Sequence, residues 1–142
     1  MNDDTLFDIE KEMAVLVRYL TFVTNKRIGN LDRSAYLLLQ QLSNQGPAGV
    51  KTISAVLLLD VSTVSRQAAA LEQKGYVEKV PDEHDGRAYF YRITKTGSRE
   101  LDLYKQITIE RVANLLQEWS AEERRQFGEL LKKFNQSIKN RD

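Results

Sequence analysis

The sequence contains no cysteine and only one histidine, His84, in its 142 residues. The absence of cysteine excludes a disulfide framework, a thiol redox switch and any cysteine-ligated metal site. One histidine and no cysteine leave no His cluster for zinc and no nucleophile–base pair of the usual catalytic kinds. We therefore expect no metal and no cofactor, and the sequence gives no support for an enzyme.

The chain also lacks a long apolar run and a strong net charge. No apolar run approaches the roughly 20 residues needed to span a bilayer, and the acidic start lacks the basic and apolar regions of a signal peptide. A cytoplasmic protein without membrane contact is therefore expected. The formal net charge is +1, so a nucleic-acid surface, if present, has to be local. The hydrophobic and charged fractions, 42% and 29%, are typical of a globular domain.

The centre of the chain has the pattern of a capped amphipathic helix. It is expected from Val61 to Lys74, with Asp60 as its N-cap and Gly75 in the left-handed position that ends it. Apolar side chains at i, i+4 and i+7 predict its buried face, which consists of Val64, Ala68 and Leu71.

A β-hairpin is expected directly after this helix. Its strands are Tyr76–Val80 and Ala88–Thr94, joined by the charged tip Asp82–Arg87. In the second strand, period-2 alternation places Tyr89, Tyr91 and Ile93 on one face. A helix followed at once by a hairpin is the order of a recognition helix and wing in a winged helix-turn-helix, so DNA is the expected partner.

Five further helices are expected from apolar spacing and capping residues. They are Thr5–Lys26, Arg33–Ser43 capped by Asp32, Lys51–Leu58, a long helix capped by Thr94 that reaches Trp119, and a last helix that begins at the capping box Ser120–Glu123. The apolar positions of the second helix are Tyr36, Leu37, Leu39 and Leu42. The first helix carries an apolar stripe of Leu6, Ile9, Met13, Leu16, Val17, Leu20 and Val23, and the last one of Phe127, Leu130, Leu131, Phe134 and Ile138.

The helix surface opposite the buried face suits the floor of a DNA groove. It presents Ser62, Arg66, Ala69 and Gln73, flanked by Thr63, Ser65 and Ala70. Small hydroxyl residues let the helix end approach a phosphate, and Arg66 can span a guanine edge, worth roughly 1–3 kcal/mol of discrimination. Ala69 and Ala70 leave two interpretations open: they pack on thymine methyl groups, or the helix reads fewer bases. A solvated face without a partner is the alternative.

The hairpin tip carries the second predicted DNA contact. Arg87 can enter a narrow minor groove, where the potential is most negative, and Asp85 is expected to hold its guanidinium in a planar pair. An ordinary charged hairpin tip is the alternative. Further phosphate contacts are predicted at Lys51, Thr52, Arg92 and Lys95.

The segment from Leu57 to Gly97 resembles the MarR family of bacterial transcriptional regulators. The residues that carry the resemblance are Asp60–Arg66, Leu71–Gly75, Asp82, Asp85, Arg87, and Ile93-Thr94 with Gly97. The resemblance implies one domain over residues 1–142. It is mainly α with a small β-hairpin wing, an α+β fold, in which residues 31–99 form the winged helix-turn-helix and residues 1–30 and 100–142 form dimerisation helices.

The resemblance also implies a mechanism. Two copies would form an obligate homodimer with intertwined terminal helices, bind a pseudo-palindromic duplex site, and act as a repressor. A small apolar or aromatic anionic ligand would release the DNA. In the family, the helices carrying Arg18, Tyr19, Tyr36 and Tyr104 border the ligand crevice; ordinary core packing is the alternative for these residues. The wing departs from the family pattern at His84, where arginine is frequent. A winged-helix module that binds a protein, as an antirepressor or adaptor does, is the competing hypothesis.

Overall fold

The computed structural model describes residues 3–24 and 27–141 as six helices and one two-stranded hairpin. In chain order the elements are α1 (Asp4–Thr24), α2 (Arg33–Gln45), α3 (Val50–Leu57), α4 (Val61–Gln73), β1 (Val77–Pro81), β2 (Tyr89–Ile93), α5 (Lys95–Leu115) and α6 (Ala121–Lys139). This order confirms the expected fold class. The predicted end of the first helix, Lys26, lies outside the described residues.

Three helix starts are fixed by the side chains predicted to cap them. The Asp32 carboxylate accepts a hydrogen bond from the backbone N–H of Ala35, 2.8 Å away. At the start of α6, Ser120 accepts from the Glu123 N–H while the Glu123 carboxylate accepts from the Ser120 N–H, which forms the complete capping box. The Thr94 hydroxyl caps α5 with a single bond, accepting from the Gly97 N–H.

The core lies between α2, α3, α4, the hairpin and the first turns of α5. Its fully buried side chains are Leu31, Leu38, Leu39, Leu42, Ile53, Val64, Ala68, Val77 and Leu101. The buried face predicted for α4 is confirmed, since Val64, Ala68 and Leu71 are all in this cluster. In α2 the prediction omitted Leu38, which is completely buried, and named Leu37, which is only half-buried.

The helix-turn-helix is formed by α3, a short turn and α4. Leu58 ends α3 in the left-handed conformation, with φ +56°, and its side chain is 89% exposed. The following Leu59 N–H donates to the Ser54 carbonyl, 3.1 Å away, which closes the turn. At the other end of α4, Gly75 has φ +79° as predicted, and the Tyr76 N–H donates to the Leu71 carbonyl.

The hairpin pairs β1 and β2 antiparallel, with Val77 opposite Ile93 and Pro81 opposite Tyr89. On its other side β2 pairs briefly with Ala48, whose N–H and C=O both bond the backbone of Tyr91 at 3.1 and 2.9 Å. These two bonds join the hairpin to the segment that leads into α3.

A tight joint connects the end of α4 to the start of α5. The Thr94 hydroxyl donates to the Gly75 carbonyl at 2.6 Å and accepts from the Gly97 N–H at 3.0 Å. The Thr94 N–H donates to the Tyr76 carbonyl, 3.0 Å away. A Cβ atom at Gly97 would lie 2.1 Å from that same carbonyl oxygen, so only glycine permits this approach.

The long helix α5 ends at Leu115, so the prediction that it reaches Trp119 was wrong. A turn follows, in which the Trp119 N–H donates to the Leu116 carbonyl at 2.9 Å. That carbonyl also accepts two hydrogen bonds from the Arg124 guanidinium, at 3.2 and 2.9 Å. The Trp119 ring packs against Phe127 of α6, with centroids 5.4 Å apart.

The chain divides into two compact units, residues 1–105 and residues 106–142. In the first unit, the side chains of α1 are exposed from Asp4 to Phe22, including Leu16 at 51%. The predicted stripe residue Val23 lies outside the described side chains. In the second unit, the predicted apolar stripe of α6 is exposed as well, with Leu130 at 63%. Among the described residues, no helix combines the length and apolarity required to cross a membrane.

Candidate nucleic-acid interface

The exposed face of α4 carries the residues that the sequence predicted for groove contacts. Ser62, Ser65, Arg66 and Ala69 are exposed, and Thr63 is half-buried at the edge of this face. Within the described part of the chain, the Arg66 guanidinium makes no ion pair and no hydrogen bond. The longest side chain of the face is therefore free to contact an external acceptor.

The start of α4 differs from the prediction in one bond. Asp60 occupies the N-cap position and its carbonyl accepts from the Val64 N–H at 3.0 Å, but its carboxylate makes no capping hydrogen bond. The first-turn N–H groups of α4 are thus not used by a capping side chain. Such groups bind anions because they combine free donors with the positive end of the helix dipole.

The wing tip is built from hydrogen bonds within its own backbone and two carboxylates. Asp82 accepts from the His84 N–H at 2.9 Å, and the Asp85 carboxylate accepts from the Arg87 N–H at 3.0 Å. The Ala88 N–H donates to the Asp85 carbonyl, and the Ala88 carbonyl accepts from the Asp82 N–H. These bonds fix the loop and leave the Arg87 side chain exposed at its end.

The predicted planar pair between Asp85 and Arg87 is not formed. The Asp85 carboxylate is directed at the backbone of Arg87 instead of its guanidinium. This is the usual geometry of an Asx turn, in which a short carboxylate satisfies an N–H two residues ahead. Asp85 therefore shapes the tip, and the charge of Arg87 is unpaired in the described structure.

A chain of contacts that the sequence did not predict braces the wing against α4. Lys79 of β1 lies 3.8 Å from the Glu72 carboxylate of α4, and its ammonium group sits 4.4 Å from the centroid of the Tyr89 ring. Tyr89 in turn meets Tyr91 edge to face, with centroids 5.6 Å apart. In the hairpin register, Lys79 lies opposite Tyr91 and Pro81 lies opposite Tyr89. A correct prediction of that register would have indicated this cluster, because residues opposite each other on paired strands are in contact.

Tyr91 is the buried end of this chain of contacts. Its side chain is 3% exposed, and burial raises its pKa to about 12, with the neighbouring Tyr89 adding to the effect. A phenol that is hard to ionise is consistent with a permanent packing role beneath the wing.

The predicted phosphate contacts fall into two groups. Lys51 and Thr52 are exposed in the first turn of α3, and Lys95 is exposed at the start of α5. Arg92 is different, because its guanidinium donates two hydrogen bonds to the Glu78 carboxylate, at 3.0 and 2.5 Å, across the hairpin. Its charge is already neutralised within the protein, which weakens it as a phosphate contact.

Two of the four residues predicted at a ligand crevice are in direct contact with each other. Tyr36 and Tyr104 stack, with ring centroids 4.3 Å apart and planes 12° from parallel. Tyr104 is 5% exposed, and burial raises its pKa while the charge of Arg33 opposes the shift. Arg18 and Tyr19 are exposed on α1. The tyrosine pair forms part of the core margin, which is the packing alternative considered for these rings.

Comparisons with known proteins agree with this architecture. The sequence model described as "MarR family" matches residues 31–89. The chain is 44% identical over 132 residues to the uncharacterised HTH-type transcriptional regulator YxaD of Bacillus subtilis (strain 168), covering 92% of both chains. It is 26% identical over 81 residues to the HTH-type transcriptional repressor IacR of Pseudomonas putida, covering 57% of this chain and 48% of that protein. The structure of a MarR family protein from Bacillus stearothermophilus superposes with a TM-score of 0.85, at 26% identity, over 98% of this chain and 99% of that one.

Proposed function

Because this chain belongs to the MarR family of DNA-binding transcriptional regulators, we propose that it acts as a homodimeric repressor on a pseudo-palindromic duplex site. A small apolar or aromatic anion would release it from the DNA. The observation that carries the proposal is the exposed face of α4, with an unpaired arginine beside small hydroxyl residues, next to a braced wing that ends in Arg87.

The recognition helix α4 is proposed to enter the major groove. Ser62, Thr63 and Ser65 would position its first turn against the backbone and groove floor, and Arg66 would read a guanine. In a dimer, the two copies of α4 would enter successive major grooves about 34–36 Å apart. The free N–H groups at the start of α4 support a phosphate contact at this end.

The wing is proposed to contact the minor groove through Arg87. The hydrogen bonds of the tip support this role, because they hold the loop in one shape and leave the guanidinium free. Lys51, Thr52 and Lys95 are proposed as backbone contacts that add affinity without sequence preference. Arg92 stays a lesser candidate because binding a phosphate would require breaking its pair with Glu78.

The homodimer is proposed from the terminal helices. Helix α1 exposes large apolar side chains along its length, and the apolar stripe of α6 is entirely exposed. A soluble monomer rarely leaves such continuous apolar surface in water. A second copy of this chain would cover both helices, and each fully buried Leu or Phe would contribute about 1.5–3 kcal/mol.

Repression and ligand release are proposed on narrower grounds. The relative IacR is described as a repressor, and binding that covers promoter DNA blocks transcription. Arg18, Tyr19, Tyr36 and Tyr104 are proposed to contact the ligand, with the guanidinium offering a partner for an anion and the stacked tyrosines an apolar wall. By linkage, the ligand has to bind the DNA-incompetent conformation more tightly than the competent one.

DNA binding is tested by fluorescence anisotropy with duplexes from upstream of the gene itself, a scrambled duplex and genomic fragments enriched by the protein. We expect binding to the specific duplex at least about 10³-fold tighter than to the scrambled one. Arg87→Ala should weaken binding to both duplexes. It should also reduce the salt slope, which is the slope of log affinity against log salt concentration, by about one for each arginine removed. Arg141→Ala removes the same charge from the chain end and should leave both unchanged.

The outcomes separate the proposal from its competitor. If no duplex or genomic fragment is enriched, the winged fold serves another partner, and the protein-binding module becomes the leading hypothesis. If Arg87→Ala leaves both affinity and salt slope unchanged, the wing plays no part in DNA binding.

The dimer is tested by light scattering coupled to size exclusion. We expect a dimer for the unmodified chain, and Phe134→Asp or Leu130→Asp should dissociate or unfold it by placing a charge in the apolar stripe of α6. Gln136→Asp places the same charge on the opposite face of this helix and should remain dimeric. An intact Phe134→Asp dimer would show that the interface lies elsewhere.

A further inference from the structure

We infer that α4 selects A·T base pairs by contacting thymine methyl groups, with Ala69 and Ala70 as the specificity-determining residues beside Arg66. This inference rests on the proposed function and adds to it the class of base pair that the exposed face recognises. It also decides between the two interpretations of these alanines that the sequence left open.

The first observation is where the three successive alanines lie. Ala68 is completely buried in the core, whereas Ala69 and Ala70 are exposed. They follow Arg66 by three and four residues, so they are its neighbours on the helix surface. The exposed face of α4 therefore presents two methyl groups directly beside the side chain proposed to read guanine.

The second observation is that the amide side chains of α4 are poorly placed to read adenine. A bidentate contact to adenine requires both the oxygen and the nitrogen of an Asn or Gln amide. The Oε1 atom of Gln67 is buried, without a hydrogen-bond partner in the described part of the chain. Gln73 is the last residue of α4, three residues beyond Ala70, so its amide lies past the stretch of the helix that carries Arg66, Ala69 and Ala70.

An A·T pair also offers α4 the C5-methyl group of thymine, the only apolar group among the base edges of the major groove. An alanine methyl has no polar atom and packs well against such a projecting apolar group. The short side chains also let the helix backbone approach the groove floor closely. We therefore expect each half-site to contain a guanine read by Arg66, with one or two thymines on the adjacent steps.

Replacing thymine by deoxyuridine removes only the methyl group and preserves the base pair. A randomised duplex library of about 30 base pairs, long enough for two half-sites one helical turn apart, is prepared with thymidine and selected with the purified full chain. The enriched duplex is then titrated with each thymine replaced singly by deoxyuridine. At one or two positions per half-site we expect about fourfold weaker binding, which corresponds to the ~0.8 kcal/mol of one buried CH₂ group.

The assignment to the alanines is tested by repeating the titrations with Ala69→Gly and Ala70→Gly. Each variant lacks one methyl group on the protein, so the ratio of thymidine to deoxyuridine affinity at its contact should fall from about four to about one. Ala55→Gly removes an exposed alanine from α3 and should keep the fourfold ratio. Because each ratio is measured within one variant, a general loss of helix stability cancels.

The failures are distinguishable. If a sequence is enriched but every deoxyuridine duplex binds as well as its thymidine parent, the inference is wrong and the proposed DNA-binding function stands. If the methyl effect persists in both glycine variants, thymine is read by other residues and Ala69 and Ala70 are not its determinants. If no sequence is enriched at all, the proposed function fails together with the inference.

Discussion

Gly97→Ala should strongly destabilise the protein, because it adds a methyl group inside the joint between α4 and α5. The added Cβ would lie 2.1 Å from the Tyr76 carbonyl oxygen and 3.0 Å from Cγ1 of Ile93. Carbon–oxygen contacts in proteins are normally no closer than about 3.3 Å. Either α5 or the β1 segment has to move by about 1 Å, and both are tied together by Thr94.

The size of the effect combines the steric clash with the weakening of the hydrogen bonds that Thr94 makes. Overpacking of this kind costs about 1–3 kcal/mol, and each Thr94 hydrogen bond that is broken costs a further ~0.5–1.5 kcal/mol. Alanine is the better helix former by up to ~1 kcal/mol, which offsets part of the destabilisation. We expect the free energy of unfolding to fall by about 2–4 kcal/mol, and DNA affinity to fall with it because Tyr76 closely follows the recognition helix.

A matched control is provided by Gly128→Ala. Gly128 lies within α6, and a Cβ atom there would meet nothing within 4 Å. The same substitution should therefore stabilise the protein by about 0.5–1 kcal/mol. Both variants are compared with the unmodified chain by urea unfolding, followed by circular dichroism at one fixed protein concentration. If Gly97→Ala unfolds within about 0.5 kcal/mol of the unmodified chain, the close approach at Tyr76 is not a constraint and the reasoning fails.

Three smaller perturbations test other parts of the fold. The pKa of Tyr91 is raised from 10.0 to about 12. The contribution of the neutral phenol to the free energy of unfolding, on the order of 2–3 kcal/mol, is therefore complete below about pH 10 and is lost as the pH rises towards 12. In urea unfolding at about pH 9 and 11, Tyr91→Phe should lose less stability at the higher pH than the unmodified chain. Ser120→Ala removes the capping bond to Glu123 and should lower stability by about 1 kcal/mol, whereas Ser137→Ala in the same helix should be close to neutral by the same assay. Leu58→Gly relieves a left-handed leucine whose side chain is 89% exposed, and its thermal midpoint should rise by a few degrees, reflecting about 1 kcal/mol.

The features predicted correctly from the sequence are those decided within a few residues. Asp32, Thr94 and Ser120 each cap a helix through an N–H three residues ahead, and Gly75 ends α4 in the only backbone region that suits glycine better than other residues. A cap or a left-handed stop needs no information from distant parts of the chain. Gly75 and Thr94 lie on either side of the wing, whereas the side-chain cap predicted at Asp60 did not form.

The end of α5 was missed because nothing local marks it. Leu115, Leu116 and Trp119 continue the helical apolar spacing, and neither glycine nor proline follows Leu115 directly. The turn is instead stabilised by Arg124, which reaches back eight residues to the Leu116 carbonyl. Such a contact exists only once α6 has formed, so spacing alone predicted a helix four residues too long.

Side-chain partners were the least predictable part of the candidate site. The sequence offers the Asp85 carboxylate two donors on Arg87, the backbone N–H and the guanidinium. Only the loop geometry decides that it bonds the backbone N–H. The pairing of Arg92 with Glu78 depends on the hairpin register, as does the stacking of Lys79 on Tyr89. In the same way, three successive leucines in α2 leave open which faces the core, and tertiary packing selects Leu38 and Leu39.

The wing tip has a consequence for how this regulator can diverge. Its shape is set by backbone hydrogen bonds and by the carboxylates of Asp82 and Asp85, whereas the side chains of Glu83, His84 and Arg87 are exposed and are not needed for that shape. If the wing contacts DNA as proposed, substitutions at these three positions would change the affinity for DNA with little effect on folding. Gene duplicates could then change how tightly they bind DNA through single substitutions there, without first accumulating compensating mutations elsewhere in the chain.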